Sequence, residues 1–118
     1  FWFCMLALHK IGAIAIPAPN QLLEHDFEYR FKAAGVSAII CTADGDTAEI
    51  AERAAKNCES VKNLILVGGS REGWHDFDSE YGRFSTHFYR EENTCAGEDT
   101  ALMFFTSGTT GITFKITL

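Results

Sequence analysis

Near the end of the chain, Thr106-Ser107-Gly108-Thr109-Thr110-Gly111 sets hydroxyls beside glycines, and Lys115 follows shortly after. That mixture suits the holding of phosphate. Glycine lets the backbone turn so that successive N–H groups converge on an anion. Hydroxyls add further donors, and a lysine adds a full positive charge. The apolar run Ala101 to Phe105 leads straight into the loop, so a strand would carry it. The G-x-x-x-x-G-K-[ST] spacing of a Walker A loop is absent. A plain β-hairpin accounts for the same residues. Ile112, Phe114, Ile116 and Leu118 alternate with Thr113, Lys115 and Thr117, a period of two, and GTTG would be the turn. A phosphate loop joining two strands would satisfy both readings.

Other residues able to do chemistry are scattered. The four cysteines, Cys4, Cys41, Cys58 and Cys95, form no C-x-x-C pair. Cys41 in an expected strand and Cys58 at a helix end read as small buried thiols. Reduced thiols suggest a cytoplasmic compartment. The four histidines show no ligand spacing, so no metal site is expected. Glu91-Glu92 and Glu98-Asp99 read as solvated loop charges rather than Mg²⁺ ligands. Trp74, Phe77 and Tyr81 read as the packed face of a helix rather than an acyl or adenine pocket. Asp76 and Asp78, two apart on that helix, would diverge and make a poor acid–base pair. No nucleophile–histidine arrangement can be read, so catalytic residues stay unassigned.

The elements that must position the loop follow from periodicity. At 118 residues the chain is one domain or part of one, and 47% hydrophobic residues supply a sizeable core. A net charge of -6 argues against general nucleic-acid binding without excluding a nucleotide. Phe1 to His9 reads as a helix stopped at Gly12 and too short to span a membrane. It has no basic region ahead of it, as a signal peptide would, and is expected to lack its beginning. Ala13 to Ile16 reads as a buried strand ended by Pro17. Leu22 to Ala34 has helical spacing and ends at Gly35. Ser37 to Thr42 is a second strand. Asp46 and Glu49 form a capping-box pattern for a helix bearing Ile50, Ala54 and Cys58. Leu64 to Val67 is a third strand, Trp74 to Phe88 keeps helical spacing, and Ala101 to Phe105 is a fourth strand. Unbroken apolar strands alternating with helices predict an α/β fold, a mostly parallel sheet of about four or five strands with crossover helices. The loop then lies at a strand's carboxyl end, where such sheets bind ligands.

TSGTTG after an apolar strand resembles the phosphate-loop signature of AMP-forming, adenylate-forming ligases. That family includes acyl-CoA synthetases, luciferases and peptide-synthetase adenylation domains. HKIGAIAIPAPN is similar to the family's helix–Gly–strand–Pro segment, and GEDTALMFFTSGTTG to its approach to the loop. SREGWHDF resembles a segment of the medium-chain acyl-CoA synthetase branch, so the resemblance covers essentially the whole chain. The family continues TSGTTG-x-P-K, whereas here Gly111-Ile112-Thr113-Phe114-Lys115 lacks the proline and delays the lysine by one residue. In a strand that shift moves a side chain to the opposite face. The loop role is therefore carried over to Thr106, Ser107, Gly108, Thr109, Thr110 and Gly111, and not to Lys115.

The resemblance implies a two-step reaction. A carboxylic acid attacks the α-phosphorus of ATP to give an acyl-adenylate and pyrophosphate, and the thiol of coenzyme A then displaces AMP. The loop would hold the β- and γ-phosphates while Mg²⁺ shares their charge. In the family the adenine and ribose contacts, the acyl pocket, the hinge and a C-terminal catalytic lysine follow this loop. Residues 1–118 are thus expected to be a partial N-terminal adenylating domain, truncated at both ends and inactive alone. Strand edges and apolar faces left open would favour self-association, including exchange of the Ile112 to Leu118 strand. Two other classes stay open. One is a non-catalytic α/β module binding a phosphate-bearing ligand or partner protein, and the other a structural domain in which GTTG only turns a hairpin.

Overall fold

The computed structural model describes residues 1–91, 94 and 97–105 in full, and 113–117 by their backbone. It divides into two units, Asn20–Thr86 on the one hand and Phe1–Pro19 with His87–Leu118 on the other.

Within Asn20–Thr86, three parallel strands lie in the order β1 (Ala38–Thr42), β2 (Asn63–Val67) and β3 (His75–Asp76). Parallel neighbours need a crossover, which α3 (Thr47–Lys56) provides between β1 and β2. Before them runs α2 (Glu24–Ala34), opened by the Leu23 N–H donating to Asp26 Oδ2 at 3.1 Å and closed at Gly35 with φ 59°. Phe27 and Phe31 from α2, Ala48, Ala51 and Ala54 from α3, and Leu22, Cys58, Leu66 and Trp74 form one buried cluster. Ala51 and Ala54 are fully buried, and side chains this small let the two helices approach closely. Arg53 ties them at the surface, with Nε donating to Glu24 Oε2 at 2.8 Å.

The capping box expected at Asp46 and Glu49 does not form. Asp46 precedes α3 with φ -105° and ψ 4°, outside the extended backbone a capping side chain needs, and makes no side-chain capping bond, while Glu49 turns to Arg53 one turn further on. The long aromatic helix expected from Trp74 to Phe88 is also absent. His75–Asp76 form β3, α4 covers only Phe77–Glu80, and a 3₁₀ turn spans Tyr81–Arg83. Asp76 explains the late start, since its Oδ1 accepts the Ser79 N–H at 3.1 Å and caps a new helix there. Gly82 then weakens any continuation. Trp74 enters the core as expected, whereas Tyr81 and Phe84 stay exposed.

In the other unit, α1 (Trp2–Lys10) ends in a paired closure at Gly12, whose φ is 71°. Gly12 N–H donates to the His9 carbonyl at 3.2 Å and Ala13 N–H to the Leu8 carbonyl at 2.9 Å. No residue of α1 is buried. The expected strand at Ala13 to Ile16 reduces to one parallel bridge, Ala15 to Leu102. Pro17 lacks an N–H and cannot extend the ladder. β4 (Thr100–Phe105) and β5 (Thr113–Thr117) form an antiparallel pair where the sequence placed its fourth strand and its alternating C-terminal strand. The α/β class with a parallel sheet and helices is as read from the sequence.

Candidate functional site

Thr106 to Gly111 follow β4 directly and lie outside the described residues; what the structure describes is the frame that delivers them. β4 and β5 are antiparallel neighbours, with Phe105 opposite Thr113 and Met103 opposite Lys115. Residues 106–112 therefore connect two paired strands, the arrangement in which the phosphate and hairpin readings are compatible. The register slips between Thr100 and Leu102: Thr100 faces Thr117 while Leu102 faces Ile116. Ala101 is thus one residue in excess on β4, a bulge.

The opposite edge of β4 is held by Ala15. Its N–H donates to the Ala101 carbonyl at 3.0 Å, and its carbonyl accepts the Met103 N–H at 2.9 Å. The carbonyl at the bulge is thereby satisfied from the other side. Ala15 is itself buried, with 4% of its surface exposed. Sequence reading missed this arrangement, for an unbroken apolar run carries no mark of a bulge.

A second concave feature lies in Asn20–Thr86, past the carboxyl end of β2, lined by Gly68, Gly69, Ser70, Asp76, Asp78 and Ser79. Asp76 stands in β3 rather than on the expected helix, and the two aspartates are each spent on a separate backbone amide. Asp78 Oδ2 accepts the Gly68 N–H at 2.6 Å, and Asp76 caps α4. The Asp78 bond fastens the turn that follows β2. Gly69 is needed in that turn, because a Cβ there would stand 2.8 Å from the Ala43 Cβ. Among the described residues no three His, Cys, Asp or Glu side chains gather as metal ligands. Glu91 is exposed and its N–H donates to Thr94 Oγ1 at 2.7 Å, while Glu92 and Cys95 lie outside the described residues.

The perturbed titrating groups also lie away from the loop in sequence and serve the helices and their borders. A hydrogen bond from Asn57, with Lys32 assisting, holds the Glu28 carboxyl below its ordinary range. Arg71 does the same for Glu52, through an Nε to Oε2 contact of 2.6 Å. The Arg53 guanidinium is pushed up by its bond to Glu24. Burial raises the Cys41 thiol, against the pull of Arg71. Cys4, Cys41 and Cys58 are free thiols.

Comparison with known proteins follows the same lines. The family described as AMP-binding enzyme matches residues 1–112, and the chain belongs to that family. Acyl-coenzyme A synthetase ACSM5, mitochondrial, of Rattus norvegicus is 35% identical over 112 residues, which cover 94% of this chain and 19% of that protein. The 4-hydroxybutyrate–CoA ligase 1 of Metallosphaera sedula is 31% identical, over 98% of this chain and 19% of its own length. Among solved structures, the anthranilate CoA ligase AuaEII with anthranoyl-AMP superposes with a TM-score of 0.79. It is 22% identical, over 95% of this chain and 21% of that one, so it speaks for the fold. The chain spans about a fifth of the length of these relatives.

Proposed function

We propose that Thr106, Ser107, Gly108, Thr109, Thr110 and Gly111 form the phosphate-binding loop of an acyl-CoA synthetase of the medium-chain type. The observation that carries this reading is the family match, which runs through the loop to residue 112. In the proposed reaction a carboxylate oxygen attacks the α-phosphorus of ATP and the bond to pyrophosphate breaks. The thiolate of coenzyme A then attacks the acyl carbon and releases AMP. The loop's amides and hydroxyls hold the β- and γ-phosphates, with Mg²⁺ as the nucleotide's counter-ion, so that pyrophosphate departs without reorganisation of its surroundings. Residues 1–118 contribute this part of an N-terminal adenylating domain and do not turn over alone.

Titration of the chain with Mg²⁺–ATP tests the reading. Amide signals of Thr106 to Gly111 are expected to shift while those of β1 and β2 stay in place. Unmoved loop amides would leave GTTG as a hairpin turn only. Robust acid-dependent ATP–pyrophosphate exchange by the chain would overturn the inactivity of these residues on their own.

The proposal extends to assembly and location. Phe1, Trp2, Phe3 and Leu6 are between 60% and 82% exposed, an apolar surface of the kind that associates. β5 has β4 as its one strand partner among the described residues, which leaves an edge for pairing or exchange. Sedimentation is expected to show concentration-dependent dimers or larger species at micromolar chain; a clean monomer would refute self-association. No described helix is long and apolar enough to cross a membrane. The free thiols suit a reducing compartment, the cytoplasm in our reading, although several relatives carry the word mitochondrial in their names.

A further inference from the structure

We infer that Ala15 is a positioning residue for the phosphate loop, acting through β4; the inference rests on the function proposed above. A two-stranded antiparallel pair is marginal in water without a third strand or a packed face. β4 and β5 are such a pair, and Ala15 provides the third-strand contact on the far edge of β4. Its two bonds bracket Leu102, to the Ala101 carbonyl at 3.0 Å and from the Met103 N–H at 2.9 Å. They meet β4 at its bulge, the point where β5 leaves a residue unpaired. A bulge re-aims the strand that follows it. Here that strand is Leu102 to Phe105, and Thr106 comes next. Fixing the bulge therefore fixes the direction from which β4 enters the loop.

The chain upstream is built to deliver Ala15. The closure at Gly12 ends α1 in the left-handed conformation and turns the backbone toward β4. Pro17 then stops the ladder after a single bridge. At 4% exposure Ala15 is enclosed, so a larger side chain would have to find its extra volume inside the unit. None of these residues needs to touch a nucleotide.

Three measurements on the chain test this. Ala15→Pro removes the N–H donor and is expected to weaken Mg²⁺–ATP binding by about ten-fold, the worth of one hydrogen bond. Ala15→Val keeps both bonds but adds volume at an enclosed position, and a several-fold weakening is expected. In both variants the exchange rates of β1 and β2 amides should stay unchanged, which a general loss of structure would alter. The third measurement needs no variant. If the Ala15 bonds and the loop are coupled, saturating Mg²⁺–ATP must slow exchange of the Ala15 and Met103 N–H groups in the unaltered chain. ATP binding by Ala15→Pro equal to that of the unaltered chain would overturn the inference. So would unslowed exchange at Ala15 and Met103 while Thr106 to Gly111 respond to ATP. Absence of any loop response in the unaltered chain strikes instead at the phosphate reading, and removes the inference with it.

Discussion

Replacing Phe31 with alanine is expected to remove a large share of the stability of Asn20–Thr86 and to lower its urea midpoint sharply. The ring is 3% exposed, lies 5.7 Å from that of Phe27, between centroids, and belongs to the buried cluster. Truncating a buried phenylalanine costs about 3–5 kcal/mol, from lost transfer energy and the cavity left behind. A folding unit of this size holds only about 3–10 kcal/mol in all. Urea titration followed by circular dichroism measures the loss. A midpoint unchanged from the original chain would mean that Phe31 is not in the core. Tyr29, on the same helix and 50% exposed, provides the comparison, and Tyr29→Ala should cost far less.

The second large effect comes from adding volume. Ala51→Leu places a branched side chain where α3 has none of its Ala51 surface exposed. The helices must separate or the leucine must leave its preferred rotamers, at about 1–3 kcal/mol. Leucine is nearly as good a helix former as alanine, so the loss would come from packing and not from propensity. Ala33→Leu, at an exposed position of α2, separates the two causes and is expected to be nearly neutral. Thermal melts of both variants decide it. Equal midpoints would deny the close approach of α2 and α3.

Much of this architecture was legible in the sequence because local signals and tertiary packing agree. Phe27, Phe31 and Gly35 mark a buried face and an end for α2, and the structure uses them for that purpose. The apolar runs at Ser37 to Thr42 and Leu64 to Val67 became parallel neighbours joined by α3. Legibility failed where side chains had a choice of partner. Asp46 and Glu49 spelled a capping box, but Arg53 offered Glu49 a charged partner within the helix while also bonding Glu24 of α2. The aromatic residues from Trp74 to Phe88 shared a helical period, yet Asp76 captured the Ser79 amide and set a short helix of its own. Of the proposed site, only the loop's residue types could be read from the sequence. The grip of Ala15 on β4 could not, because its two bonds are backbone bonds and leave no trace in side-chain pattern. The delayed Lys115 was legible as a departure from the family, and it now sits opposite Met103 in the β4–β5 register.

The two helices α1 and α3 differ in how much they dictate about their own setting. In α3 the alanines line one side and the charges the other, so rotating it about its axis by half a turn would drown the first and strand the second in the core. Its sequence contains an instruction about which way to face. Trp2, Phe3, Met5, Leu6 and Leu8 give α1 no such instruction, since oily residues occur around most of its circumference. Any apolar surface that meets α1 can choose its rotation at little cost. The setting of a helix of this kind is decided by what it packs against and not by its own pattern.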